Sequence, residues 1–323
     1  MGNAADRMGV ELRVLITGGA GFIGSNLSRM LVERDESAQV VVLDDFSTGR
    51  LGNLADLEVE LIEGTILDAP LVTKAMGGVD AVVHLAARAS VPRSIANPRA
   101  THDTNVTGTL NVLEAAREAG AHVIAASSSS VYGSNPQLPK VESMAIRPMS
   151  PYAATKLATE AYTLAWGQSF GLDVLAFRFF NVYGPGQAAG HAYAAVVPTF
   201  LDTVLRGCPI PIHGSGEQTR DFTFVETVCA VIQDALARRV SSDCPVNLAL
   251  GTRTSILDLV ELIGDVTGLS VQVDHLPARV GDVPHSSADP GQLLTLFAAV
   301  RSYPLEEGLA RTYEWMSQQR DDD

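Results

Sequence analysis

Short β-branched runs alternate along this chain with longer stretches rich in Ala and Leu. Residues 13–17, 40–44, 58–62, 81–86, 122–126, 174–179 and 246–250 read as strands, and residues 22–34, 70–76, 104–119 and 151–170 read as helices between them. Such alternation predicts a parallel sheet with helices on both of its faces. The strand segments are apolar throughout rather than at every second position, which is the pattern of a sheet covered on both sides. After Asn181 the texture changes: Gly and Pro become frequent through residues 184–190 and 206–216, and helical patterns return at 224–237, 255–267 and 305–318. No internal repeat or low-complexity tract interrupts the pattern.

Length and composition narrow the class. The 323 residues suit one large domain or two intimate ones. Hydrophobic residues make up 46% and aromatics only 6%, so the core leans on Ala, Val and Leu. A net charge of −14 argues against a nucleic-acid partner, because neutralising phosphates needs clustered Lys and Arg. A small anionic ligand remains compatible, since a few Arg side chains make a local positive pocket. Cys208, Cys229 and Cys244 form no C-x-x-C pair, which suits neither a disulfide framework nor a zinc site and fits a reducing cytoplasm. No metal site is expected. No apolar run approaches the roughly 18 residues of a membrane helix. Residues 1–13 lack the apolar stretch of a signal peptide and read as a short disordered lead-in. The acidic end at 321–323 reads as a solvated tail.

The segment Val14-Leu-Ile-Thr-Gly-Gly-Ala-Gly-Phe-Ile-Gly24 combines a strand, a glycine-rich turn and a helix start. Gly19, Gly21 and Gly24 satisfy G-x-G-x-x-G, and Gly18, Gly21 and Gly24 the wider G-x-x-G-x-x-G. Glycines let a backbone approach a pyrophosphate, and a helix N-terminus offers free N–H groups and a positive dipole end. Asp44 follows at the end of the next strand, near the ~20-residue offset of a ribose-binding acid. Asp44 and Asp45 would accept from free ribose hydroxyls and repel a 2′-phosphate. Arg50 is the only nearby cation to oppose this, so NAD is favoured over NADP. The competing reading is a glycine turn in an unrelated α/β protein.

Tyr152 and Lys156, in Ser150-Pro-Tyr-Ala-Ala-Thr-Lys156, lie at i and i+4 on one helix face. An adjacent ammonium favours phenolate, so such a Tyr can take a proton from a hydroxyl while hydride leaves the same carbon. On its own, Y-x-x-x-K also fits a core Tyr beside a solvated Lys. Ser127–Ser130 follow the strand at 122–126, where ligands of open α/β sheets sit, and a hydroxyl there can donate to a developing alkoxide or carbonyl oxygen. A polar linker is the plain alternative, weakened by Val131-Tyr-Gly133 directly after it.

With these motifs the chain resembles the extended short-chain dehydrogenase/reductase family, in its branch of nucleotide-sugar epimerases and dehydratases. The resemblance runs from Val14 to about Met316 and rests on Thr17–Gly24, His84-Leu-Ala-Ala87, Asn105, Ser127–Gly133, Tyr152 with Lys156, and Arg178-Phe-Phe-Asn181. It implies a Rossmann-type doubly wound parallel sheet that binds NAD, built from residues 1–181 and about 221–250. A smaller α/β substrate-binding domain would comprise about 182–220 and 251–323. It implies Ser128, Tyr152 and Lys156 as the catalytic triad. NAD would meet Gly18, Gly21, Phe22, Ile23, Gly24, Asp44, Asp45, Ile66, Leu85, Ala86, Ala87, Asn105, Ser127, Tyr152, Lys156 and Phe180. The sugar nucleotide would meet Ser90, Ser128, Ser129, Ser130, Tyr152, Asn181, Ala195, Val196, His213 and Ser286. Arg220, in Gly216-Glu-Gln-Thr-Arg-Asp-Phe222, and Arg279, with Asp282 in Arg279-Val-Gly-Asp282, would clamp its diphosphate. Two departures mark this chain: Thr65 stands where the family usually has an Asp facing adenine, and His213 where an aromatic ring often stacks on uracil.

Dehydratases and uronic-acid decarboxylases of this family carry a carboxylic acid in the two positions after the catalytic Ser, which here are Ser129 and Ser130. The resemblance therefore implies a 4-epimerase acting through a transient 4-keto sugar. Within that branch the chain is most similar to UDP-N-acetylglucosamine 4-epimerases, through Ser90-Val-Pro-Arg-Ser-Ile95, Leu138-Pro-Lys-Val-Glu142, Ala192-Tyr-Ala-Ala-Val-Val-Pro198 and Gly281-Asp-Val-Pro-His-Ser286. A modified hexosamine fits the same residues. UDP-glucuronate 4-epimerases are the alternative, with Ser129 and Ser130 holding a carboxylate, and a non-catalytic NAD-binding regulator is a third reading. A homodimer through the helices at 104–119 and 151–170, in the cytoplasm, is the assembly the resemblance implies.

Overall fold

The computed structural model describes residues 12–34, 38–189, 195–277 and 284–321. Most of the expected lead-in, residues 192–194, Arg279, Asp282 and the last two residues of the tail lie outside that set. In chain order the strands are β1 (Arg13–Thr17), β2 (Gln39–Asp44), β3 (Glu60–Glu63), β4 (Ala81–His84), β5 (His122–Ser128), β6 (Val174–Phe179), β7 (Val182–Tyr183), β8 (Ile210–His213), β9 (Thr219–Arg220), β10 (Thr223–Phe224), β11 (Val246–Leu248), β12 (Thr254–Ser255) and β13 (Val273–Leu276). The helices are α1 (Phe22–Arg34), α2 (Ala69–Ala75), α3 (Val91–Ala96), α4 (Pro98–His102), α5 (Gly108–Ala119), α6 (Pro151–Phe170), α7 (Val196–Leu205), α8 (Val225–Arg238), α9 (Ile256–Thr267), α10 (Gly291–Leu296) and α11 (Leu305–Asp321).

Seven strands form one parallel sheet in the order β11-β6-β5-β4-β1-β2-β3. Apolar strands of this kind are buried from both sides because successive side chains point to opposite faces. Val14 and Ile16 of β1 pack with Leu27 and Leu31 of α1 and Val228 and Ile232 of α8. Leu15, between them, packs with Val72 of α2 and Val112 and Leu113 of α5. β2 repeats the division, with Val40 and Val42 on one face and Val41 and Leu43 on the other. This is the Rossmann-type doubly wound fold. The chain order reverses at β1, between β2 and β4, and the crevice at their carboxyl ends is where such sheets hold ligands.

The differences from the sequence pattern have local causes. β3 is an edge strand with Glu60, Leu61 and Glu63 exposed, so its boundaries carry little apolar signal. β4 stops at His84 and frees Leu85–Ala87 for the crevice, while β5 runs on to Ser128. The helix expected from residue 104 begins instead as a π-helical turn, Asp103–Thr107, before α5. The smaller α/β part holds a parallel pair, β8 with β13, beside α7, α9 and α11. Pro211 within β8 and the short length of both strands hide that pair from periodicity. Ile210, Ile212, Leu201, Leu259 and Leu309 of this part share one core with Val14 and Ile16.

Candidate active site

A groove of about 1390 Å³ runs across the carboxyl ends of the strands. Its first wall is the glycine turn. Gly18 has φ +74°, donates its N–H to Leu43 O at 2.8 Å, and lies so close to the next loop that a Cβ would fall 2.8 Å from Ala86 N. The turn delivers Gly21, Phe22, Ile23 and Gly24 to the groove, and the first N–H groups of a helix lack intrahelical partners. Asp44 lies beside them at the end of β2. Its Oδ2 accepts from Ala20 N at 2.9 Å and its Oδ1 from Phe46 N at 2.8 Å, so it also ties the glycine turn to β2. Burial raises its pKa, opposed by those two N–H groups. Asp45 is exposed on the same wall and caps Ser47 N. The cradle is narrow where a dinucleotide needs backbone contact and acidic where it needs ribose contact, so its residues fit NAD.

Leu85, Ala86, Ala87 and Ile66 continue this wall. Thr65, at the departure from the family pattern, turns its hydroxyl to Leu67 N at 3.3 Å. Two residues expected to touch the cofactor stand elsewhere. Asn105 is only 1% exposed and lies behind the wall, with Oδ1 accepting from Arg88 N at 2.7 Å and Nδ2 donating to Thr155 Oγ1 at 2.9 Å. Phe180 is fully buried with Val131, Tyr132, Ala249 and Ala288, and its neighbour Phe179 faces the groove instead. Adjacent residues of extended chain face opposite ways, which sequence spacing alone does not orient. Arg29, paired with Asp56 at 2.7 Å, and Asn26, donating to Pro185 O at 2.9 Å, were not singled out by sequence and also line the groove.

At the other end β5 brings up its serines. Ser127 donates to Glu160 Oε2 at 2.7 Å and is thereby committed. Ser128 Oγ accepts from Ser130 N at 3.2 Å, and Ser128 and Tyr152 line the same groove. Tyr152 sits in the first turn of α6, capped by Ser150, which accepts from Ala153 N at 3.1 Å, with Pro151 as the first helical residue. One turn later Lys156 is buried, and its Nζ donates to Ala126 O at 2.8 Å. Burial brings the Lys156 pKa down to about 8. Burial raises that of Tyr152, and the Ser128 hydroxyl works against the rise. Burial is the larger of the two influences on the phenol, and Lys156 is not one of them. His84 lies behind both, fully buried between Thr17 Oγ1 at 2.8 Å and Thr109 Oγ1 at 3.0 Å. Burial and then the Lys156 charge push its pKa down to about 3, so it is neutral at pH 7.

Ser90, which caps α3, Ser129, Asn181 and Ala195 line the groove as expected. Val196 opens α7 and packs against the core. Ser130 Oγ is buried without a hydrogen-bond partner among the described residues. Asn181 has φ +33° and donates to Asp221 O at 3.0 Å. Asp221 is itself buried, accepting from Gly251 N, Thr252 N, Thr252 Oγ1 and Ala288 N. His213, Arg220 and Ser286 gather in the smaller part, away from the groove walls so far described. His213 Nδ1 is 3.0 Å from Pro277 O, Arg220 Nη1 donates to Pro284 O at 3.3 Å, and Ser286 N donates to Thr219 O at 3.0 Å. His213 and Arg220 thus meet Pro277 and Pro284, the last and first described residues on either side of 278–283, within which Arg279 and Asp282 fall in the sequence. Among the described residues no group of acids, His and Cys could hold a metal ion, and no helix is long and apolar enough to cross a membrane.

Residues 14–251 match the model of the "NAD dependent epimerase/dehydratase family". The UDP-glucose 4-epimerase of Mycolicibacterium smegmatis is 36% identical, over 94% of this chain and 98% of that protein. Among solved structures, a UDP-N-acetylglucosamine 4-epimerase from Methanobrevibacter ruminantium, in complex with UDP-N-acetylmuramic acid, superposes with a TM-score of 0.90 at 36% identity, covering 96% of this chain and 99% of that one. A UDP-glucose 4-epimerase of Thermus thermophilus in complex with NAD gives 0.85 at 33% identity, covering 95% and 99%.

Proposed function

We propose that this chain, which belongs to the NAD-dependent epimerase/dehydratase family and has NAD as its cofactor, inverts C4 of a UDP-sugar, with UDP-N-acetylglucosamine and UDP-N-acetylgalactosamine or a modified derivative as the pair. The observation that carries this reading is Ser128, Tyr152 and Lys156 lining one groove, with no carboxylic acid at Ser129 or Ser130. NAD supplies a reversible hydride acceptor. Tyr152 takes the proton from the sugar's 4-hydroxyl and returns it, Ser128 donates to the same oxygen, and Lys156 holds the nicotinamide ribose. Without an acid after Ser128 nothing there protonates a leaving hydroxyl, so the 4-keto sugar turns over and is reduced on its other face. Residues 1–181 and about 221–250 hold NAD, and about 182–220 with 251–323 hold the UDP-sugar, Arg220 and Arg279 meeting its diphosphate.

The 2-acetamido preference rests on Ser286, a small residue at the position that lines the sugar pocket in similar epimerases. A homodimer through α5 and α6 accounts for Phe170, 52% exposed at the end of α6. Three free cysteines fit a reducing compartment. The test is incubation with a panel of UDP-sugars in catalytic NAD, with products read by NMR. Epimers at C4 are expected without net NADH. Steady NADH accumulation or a 4-keto-6-deoxy product overturns the reading.

A further inference from the structure

Asp221 ties three distant segments of the chain to its own. The side chain is fully buried. Its Oδ2 accepts from Gly251 N at 3.1 Å and Ala288 N at 3.0 Å, and its Oδ1 from Thr252 N at 3.3 Å and Thr252 Oγ1 at 2.9 Å. All four partners donate, so the site suits an ionised carboxylate, which only accepts; an amide there would turn a donor onto another donor. The third segment is held by the main chain, because Asp221 O accepts from Asn181 Nδ2 at 3.0 Å.

Asn181, unlike Asp221, lines the groove, just past the end of β6 and together with Ser128 and Tyr152. Its φ of +33° lies in the left-handed region, which residues with a Cβ avoid unless something holds them there. Two contacts hold it. Its side chain donates to Asp221 O, and its own carbonyl accepts from Thr223 N at 3.3 Å. Both contacts come from residues 221–223, so the place of Asn181 in the groove wall follows from where the Asp221 carboxylate is anchored. Tyr152 and Lys156 stand on α6 and the glycine turn opens α1, and neither helix supplies a donor to that carboxylate.

We propose that Asp221 is a positioning residue for the sugar nucleotide, acting through Asn181: anchored on Gly251, Thr252 and Ala288, it holds Asn181 in the conformation that meets the substrate. This deepens the UDP-sugar 4-epimerase reading and rests on it. A wall residue kept in a strained conformation by a buried anchor is preorganised, so the cost of ordering it is met by folding and not by binding.

Asp221→Asn keeps the shape and removes one acceptor. NAD-loaded Tyr152→Phe protein, with and without Asp221→Asn, is titrated calorimetrically with UDP-N-acetylglucosamine and with UDP-glucose, well below the melting transition of both. The added substitution should weaken the ligands that bind by roughly 10–100-fold, as unpaired buried N–H groups allow, with NAD content unchanged. In the otherwise wild-type enzyme it should raise KM by a similar factor and alter kcat less than about threefold. Asn181→Gly removes the side chain and tolerates the positive φ. In that background Asp221→Asn should cost less than about threefold, because two residues acting as one unit are not additive. A merely structural Asp221 lowers the melting transition and moves neither the affinity nor this coupling. Thr252→Val, which deletes one donor to the same carboxylate, carries the same cycle where Asp221→Asn does not fold, with a loss of roughly 3–10-fold that again vanishes beside Asn181→Gly. Unchanged affinity, a loss undiminished by Asn181→Gly, or a fall in kcat or NAD content at constant KM overturns this inference alone. Failure of the Tyr152→Phe parent to bind any UDP-sugar sinks the functional reading with it.

Discussion

The Arg178 guanidinium lies flat against the Glu160 carboxylate, Nη2 to Oε1 at 2.6 Å and Nε to Oε2 at 2.9 Å, with both side chains about 5% exposed or less. The same carboxylate accepts from Ser127 at 2.7 Å, and Arg178 covers the Tyr132 ring with its carbon 4.7 Å from the centroid. One buried pair thus ties β6 to α6 and both to the end of β5, one residue before Ser128.

Breaking that pair from one side leaves a buried charge alone. Arg178→Met should lower unfolding free energy by about 3–5 kcal/mol, and Arg178→Met with Glu160→Gln by clearly less. Urea denaturation of the two variants checks this. A double variant no more stable than Arg178→Met shows that packing on Tyr132, rather than charge, carries the cost.

Tyr152→Phe should reduce turnover by roughly 10²–10⁴-fold, the usual share of a positioned acid–base group. Its ring keeps its packing, so NAD content and the melting transition should match wild type. Activity above about a tenth of wild type contradicts the assignment.

His84 is bound neutral, with a pKa of about 3 against 6.5 in the open chain. Between those values the unfolded chain holds more protons than the folded one, so stability rises with pH and is lost on acidification. From pH 7 to pH 5 this group alone should remove about 2 kcal/mol. His84→Asn, which can still bond one Thr, should flatten that part of the slope. An unchanged slope by urea denaturation at the two pH values refutes the buried neutral imidazole.

If Ser286 faces the sugar as proposed, Ser286→Tyr should abolish activity on the N-acetylhexosamine pair while sparing part of any activity on UDP-glucose and UDP-galactose, because a ring there would fill the space of the acetamido group. The comparison is kcat/KM on both pairs. Equal loss on both shows that Ser286 does not face the sugar's C2 side.

The dinucleotide turn, the acid after β2, the Tyr–Lys spacing and the parallel sheet were legible in the sequence, because each is written in residues close along the chain. Glycine spacing sets a turn, i and i+4 set a helix face, and unbroken apolar runs set a strand covered twice. What each residue faces was decided only by tertiary structure. Asp44 clamps Ala20, Asn105 and Phe180 turn away from the groove, and Lys156 anchors to Ala126 O. Ser127 and Arg178 spend their polarity on Glu160. These contacts join residues far apart in the chain, and burial sets the charge each group carries. Neither the direction of a side chain across a packed layer nor its desolvation is encoded in local periodicity, so both appear only once the layers close.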